Sequence, residues 1–322
     1  MCTLYVDKTN LEVRLDGNAL AFYEDNSRTA TVPIAPIERV VFKTNVTLQT
    51  SVLSKLGERR IGAIFLNGRK HEPTLLLPSA HNDARRRISQ YALCLDPHLR
   101  HEFATEFIRE KLFAQINLLR NPDKLLAHDN VALLNNCLNE LQQQLNSVPA
   151  IRDSSQLFGL EGHCARIYFR ALTGFFDKEL GFRCRNRNPP EDPVNALLSL
   201  SYTLLYADTT LALHQAGLDP FIGFLHKTDF GRHSLSCDVM EAFRPIVDKF
   251  VIKIFADELL TTSHFNTSSY GCRLSKDARA IFYPAYEHAA QTWRPLLEKR
   301  SLQLASRFVN LAQQSLKDLE NN

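Results

Sequence analysis

The chain has 322 residues, enough for two ordinary domains around a large buried core. Apolar residues make up 44% and charged residues 23%, which excludes a mostly disordered chain. The net charge of +3 neither requires nor excludes a nucleic-acid partner, because such a footprint comes from clustered charge.

Residues 2–76 predict a small β-rich domain. Leu11–Leu15 alternates apolar and polar residues, and Asp16-Gly17 turns it into a second strand over Ala19–Tyr23. Thr31–Ile34 and Ile37–Phe42 are further strands, Leu48–Leu56 reads as a short helix closed by Gly57, and Ile61–Leu66 as a buried strand ending in Asn67-Gly68. After Leu77-Pro78 the period lengthens to that of helices. Helices are predicted over Asp83–Leu95, Leu99–Leu119, Lys124–Leu145 and Ser155–Phe176. A further helix starts at Asp192-Pro193, with proline in its first turn, and is closed by Gly217. Cys237–Leu260 reads as one helix and Lys276–Leu319 as a long helical stretch, with breaks at Pro284 and Pro295 as candidates. The expectation is an α+β protein: a β-rich domain over residues 1–80, then a larger all-α domain over 81–322.

The seven cysteines are scattered without a C-x-x-C pair, so reduced thiols in a cytoplasmic protein are expected rather than disulfides or a zinc ribbon. The N-terminus lacks a basic stretch followed by an apolar run, and no signal peptide is read there. The longest uncharged apolar-rich stretch, Val194–Ala207, is short of the roughly 20 residues that span a bilayer, so no membrane association is expected.

Three places carry candidate chemistry. Glu161 lies in an otherwise apolar helix beside Gly162, a glycine expected to serve close backbone approach; the alternative for Glu161 is a surface residue of the first turn. His226 leaves an apolar run, Gly223-Phe-Leu, and enters a polar loop, Lys227 to Gly231; it is a candidate ligand or an ordinary histidine. Asp238 and Glu241 are three residues apart, on one helical face, and either share a metal or form a capping box. Together these are one imidazole and several carboxylates, an oxygen-rich set that suits Mn2+ or Mg2+ better than structural zinc. Such an ion activates a hydroxyl and neutralises charge on a phosphoryl group, so no serine or cysteine nucleophile is needed. Arg183, Arg185 and Arg187 stand at alternate positions, which in an extended segment would aim three phosphate-binding guanidinium groups to one side, or else form a solvated loop.

Four ordered motifs carry a family resemblance. They are Gly159-Leu-Glu161-Gly with Ala165 and Tyr168-Phe169; Arg187-Asn-Pro-Pro-Glu-Asp-Pro-Val-Asn195 running on to Tyr202; Gly217-Leu-Asp-Pro-Phe-Ile-Gly-Phe-Leu-His226; and Ser234-Leu-Ser-Cys-Asp238-Val-Met-Glu241-Ala-Phe-Arg244-Pro. With them the chain resembles the universal CRISPR adaptation integrase, the larger protein of the spacer-acquisition complex. The resemblance implies a metal-dependent DNA integrase and endonuclease, with Glu161, His226 and Glu241 as metal ligands and Asp238 in a supporting role, beside them or against DNA. It also implies a homodimer acting with a small ferredoxin-like partner, which joins the 3′ ends of a short double-stranded DNA to a repeat array. Arg183, Arg185, Arg187 and Arg244 are candidate DNA contacts. The family's basic loop before Pro189-Pro190 is often richer in arginine, whereas here Asn186 and Asn188 are interspersed. The alternatives are a non-catalytic DNA-binding scaffold and a metal-dependent nuclease that cuts without joining.

Overall fold

A computed structural model describes residues 2–66, 73–79, 81–120, 129–187, 189–226 and 232–320. The expected Asn67-Gly68 turn, the start of the helix from Lys124, Asn188 and the Lys227–Gly231 loop lie outside the described residues.

Two four-stranded sheets make the first part. β2 (Glu12–Asp16), β3 (Ala19–Glu24) and β4 (Ser27–Pro33) form an antiparallel meander, and β6 (Thr47–Leu48) adds to β2 in parallel. Gly17 takes a φ of 58° in the β2–β3 turn, which is why Asp-Gly is the right pair there. The second sheet runs β1 (Cys2–Val6), β5 (Ile37–Phe42), β7 (Gly62–Phe65), β8 (Thr74–Leu76), with β8 alone antiparallel to its neighbour. Helix α1 (Thr50–Glu58) packs Val52 and Leu56 against these sheets. It runs through Gly57 and ends where Arg60, rather than the glycine, takes a left-handed φ of 56°.

The helices follow: α2 (Arg85–Leu95), α3 (Pro97–Arg120), α4 (Val131–Ser147), α5 (Ser154–Leu172), α6 (Pro193–Gln215), α7 (Ser234–Met240), α8 (Arg244–Ala256) and α9 (Lys276–Glu320). Their shared core holds Phe103, Phe107, Tyr168, Phe224, Phe282 and Trp293. The architecture is thus a strand-rich first part and a mainly helical second part. Asp192 accepts from the Asn195 N–H at 2.8 Å, with Pro193 in the first turn, so α6 begins where the sequence puts it. The α6 helix is apolar because it is enclosed: Val41 and Ile64 of the sheet cover Ala207 and Leu211, while α7, α8 and α9 pack around it. By length and composition it could cross a membrane, yet 78% of its apolar window is buried inside the protein.

Three elements differ from expectation. The single helix over Cys237–Leu260 is broken by a 3-10 turn at Glu241–Phe243, after which α8 restarts with Pro245, which has no N–H to donate, in its first turn. Helix α9 continues through both Pro284 and Pro295. A hairpin of β9 (Phe265–Ser268) and β10 (Gly271–Leu274) interrupts the helical part, in a stretch between two expected helices where no element is predicted. A further correction concerns Gly162: a side-chain carbon there would meet nothing within 4 Å, so this glycine marks no close approach.

Charge ties sheet to helices. Asp208 of α6, with a side chain only 3% exposed, pairs with Arg39 of β5 and, at 2.9 Å, with Arg294 of α9. Arg294 also bonds Glu287 at 2.8 Å, and Glu287 accepts from the Tyr5 hydroxyl of β1 at 2.6 Å. Truncating the shared anion leaves two buried guanidinium groups short of a partner. Asp208→Ala is therefore expected to cost about 3–5 kcal/mol in urea unfolding; a loss below about 1 kcal/mol would show that solvent replaces the carboxylate.

Candidate active site

Asp238 organises the first half of the site. It sits on α7, only 1% exposed. Its carboxylate accepts the backbone N–H groups of Phe224, Leu225 and His226 at 2.6, 3.1 and 3.0 Å. It also meets the His226 Nδ1 at 2.7 Å. Gly223 is needed for this approach, since a side-chain carbon there would lie 2.7 Å from both the Asp238 carboxylate and the Ser234 backbone. With Nδ1 turned to Asp238, Nε2 is the ring nitrogen left to bind an ion, the arrangement that orients metal-binding histidines. His226 also sits edge-on to Phe158 of α5, ring centroids 6.3 Å apart.

Glu241 organises the second half. It is 4% exposed and lies in the 3-10 turn between α7 and α8. Its Oε2 lies 2.7 Å from Lys111 Nζ of α3, and its Oε1 lies 3.0 Å from Arg244 Nε. These are close ion pairs rather than aligned hydrogen bonds: among the described residues Glu241 Oε2 has no hydrogen-bond partner. Lys111 Nζ also donates to Oε1 of Glu161 on α5. Burial by itself would raise the Glu241 carboxyl, but Arg244 and Lys111, with a smaller contribution from His226, outweigh it and hold it at about 2.

A third layer sits behind Arg244. Its guanidinium lies over the Tyr202 ring at 4.6 Å. The hydroxyls of Tyr202 and Tyr168 both donate to Asp248 of α8, the latter at 2.6 Å. Burial pushes the Asp248 carboxyl up to about 6, against the opposing pull of the two hydroxyls, Arg244 and Arg185.

The sequence-derived candidates separate accordingly. Glu161 and Glu241 converge on one cation, with His226 near enough to act on Glu241 electrostatically. Glu161 lies mid-helix rather than in the first turn. Asp238 does not join Glu241 on a shared partner and forms no capping box, because it lies inside α7 and serves the loop instead. Both its oxygens are taken by the Phe224–His226 segment, and its side chain is buried. The three alternating arginines do not share a side. Arg183 and Arg187 are exposed, whereas Arg185 turns inward to Asn195 at 2.8 Å and Ser199 at 2.9 Å. Arg244 is likewise enclosed, its side chain 17% exposed. Lys111 was missed, although a lysine between Phe107 and Gln115 on the buried stripe of α3 was the available signal.

A divalent ion suits the donor types, two carboxylates and an imidazole, and Oε2 of Glu241, which faces Lys111 without an aligned hydrogen bond, is an acceptor such an ion would satisfy. Among the described residues no three acidic, histidine or cysteine side chains yet close around one point, and Lys111 stands between the two glutamates.

The sequence profile of the family described as CRISPR associated protein Cas1 matches residues 4–288. The chain belongs to the Cas1 family. It is 36% identical over 304 residues to a CRISPR-associated endonuclease Cas1 of Thermodesulfovibrio yellowstonii, covering 92% of this chain and 93% of that one. A CRISPR-associated endonuclease Cas1 of Thermus thermophilus is 32% identical, covering 87% of this chain and 81% of the relative. The fold matches a solved Cas1 protein of Thermotoga maritima with a TM-score of 0.84 at 22% identity, over 95% and 97% of the two chains. It also matches a casposase bound to an integration product, with a TM-score of 0.82 at 21% identity over 96% and 91%. As a Cas1 protein the chain is a CRISPR-associated endonuclease.

Asp248 yields a pH prediction. Its carboxyl is raised in the folded chain, so it contributes stability below the ordinary value of 3.8 and loses that contribution as pH rises through about 6. The stability of wild type relative to Asp248→Asn is expected to fall by up to roughly 3 kcal/mol between about pH 4 and pH 7 in urea titrations. A difference that stays flat with pH would mean that the carboxylate is ionised throughout.

Proposed function

We propose that Glu161, His226 and Glu241 hold a single Mn2+ or Mg2+ ion and that the site joins DNA 3′-hydroxyl ends to a repeat array by transesterification. The observation that carries this reading is the convergence of Glu161 and Glu241 on one cationic point beside a histidine oriented by a buried carboxylate. When bound, the ion would lower the pKa of the attacking hydroxyl and offset charge developing on the phosphate. Asp238 fixes the His226 ring and backbone, so that Nε2 is presented without side-chain reorganisation. Arg244, held over Tyr202, keeps Glu241 ionised and aimed. Water in place of the 3′-hydroxyl turns the same arrangement to hydrolysis, which gives the endonuclease activity.

Double-stranded DNA is the substrate in this reading, and the exposed Arg183 and Arg187 are its phosphate contacts near the site. Action as a homodimer with a small ferredoxin-like partner is part of the same proposal. A partner protein, though not its fold or the homodimer, accords with the fold match, TM-score 0.80 at 23% identity, to a Cas6-RT-Cas1–Cas2 complex, in which this fold covers 35% of the longer chain.

The test is strand transfer. A labelled short duplex is mixed with supercoiled repeat-bearing plasmid, the protein and its small partner, in Mn2+, Mg2+ or EDTA. Joining is expected to require a divalent ion. Glu161→Ala, His226→Ala and Glu241→Ala are each expected to lose joining by about 10³-fold or more while duplex binding stays within a few-fold. Joining by any of these variants at the wild-type rate would remove that residue from the site. Cutting without joining under every condition would leave a nuclease, and binding indifferent to EDTA without either reaction would leave a scaffold.

A further inference from the structure

Lys111 is an anomaly for its position. It projects from α3 in register with Phe103, Phe107, Gln115 and Leu119, all buried, and its own side chain is 6% exposed. An aliphatic residue would satisfy the packing there, and an ammonium is buried only where anions repay its lost hydration. The anions are Glu161 Oε1 and Glu241 Oε2, and the latter has no hydrogen-bond partner among the described residues.

We propose that Lys111 is a built-in counter-ion that occupies the gap between Glu161 and Glu241 in the ion-free protein and must give up at least one of these carboxylates when a divalent cation binds. The inference rests on the metal reading above and deepens it. A metal ion and the ammonium seek the same oxygens, and two like charges a few ångströms apart in a buried site repel strongly. Lys111 therefore does two opposing things. It allows two carboxylates to stand together in the empty site without a metal. It also weakens the hold of the site on the ion, so that full occupancy depends on added negative charge nearby, such as the phosphates of bound DNA. Arg244 is not a second candidate for this role: among the described carboxylates it pairs with Glu241 and not Glu161, and it is held over Tyr202.

The proposal makes an unusual prediction for a residue so close to the site: removing it improves ligand binding. Mn2+ binding to the full-length chain without DNA, followed by isothermal titration calorimetry, is expected to be at least about tenfold tighter in Lys111→Met than in wild type. The ion-free variant is expected to melt lower than wild type and to gain more from saturating Mn2+. A purely structural role predicts the reverse, weaker binding along with lower stability. Should Lys111→Met fail to fold, Lys111→Gln and the wild-type ammonium itself remain as readouts. In lysine-labelled wild-type protein, the slowly exchanging Lys111 ammonium signal, assigned through Lys111→Arg, is expected to broaden or vanish on adding Mg2+.

The outcomes separate the two claims. Equal or weaker Mn2+ binding in a folded Lys111 variant, with binding abolished by Glu161→Ala, overturns the counter-ion role and leaves the metal site standing. An ammonium signal unchanged at saturating Mg2+ does the same. Absence of Mn2+ binding in wild type and in the Lys111 variants alike overturns the metal site and this proposal with it.

Discussion

Glu241 is a carboxylate kept ionised inside a helical core, and much of the surrounding geometry follows from that requirement. A buried anion needs cations within a few ångströms, and here they come from opposite directions: Lys111 from α3 and Arg244 from the start of α8. Lys111 draws in Glu161 and with it α5. Arg244 lies over Tyr202 and so fixes the chain against α6. Four helices are thereby committed to one polar cluster. Replacing all its members together by apolar residues would simplify the core, which argues that the cluster is kept for chemistry rather than stability.

The break between α7 and α8 is part of the same design. Asp238 lies inside α7, Glu241 opens the 3-10 turn that follows, and the two side chains meet different neighbours. Asp238 faces the Gly223–His226 segment and spends all its hydrogen-bonding capacity on it. Among the described residues, Oε2 of Glu241 makes no aligned hydrogen bond and faces the Lys111 ammonium at 2.7 Å. Two acidic residues three apart thus meet different partners, one the N–H groups of a loop and the other two cationic side chains.

The strand-rich part meets this helical core through α6. Sheet residues Val41 and Ile64 cover one side of that helix, and Asp208 of the same helix anchors Arg39 and Arg294. One helix therefore carries the apolar seam, the polar tie between the two parts, and the Tyr202 ring that backs Arg244.

From the chain alone one could read the change from strand to helix near residue 80, the Asp16-Gly17 hairpin and the start of α6 at Asp192-Pro193. These are local matters: a period of side chains, a glycine with positive φ, a cap. Glu161, His226 and Glu241 were legible as candidates because ordered motifs carried them. Tertiary structure alone decided the rest. Alternation in Arg183, Arg185 and Arg187 implies a common side only for an extended strand; the loop here turns Arg185 into hydrogen bonds with Asn195 and Ser199. The spacing of Asp238 and Glu241 implied a shared partner or a cap, but the loop at Phe224–His226 takes Asp238 while Lys111 and Arg244 take Glu241. Lys111 stands fifty residues before Glu161 in sequence, and nothing local says that the two meet. That contact exists because helix packing folds α3 onto α5 and the Glu241 turn, a long-range consequence of burying apolar faces that no window of sequence contains.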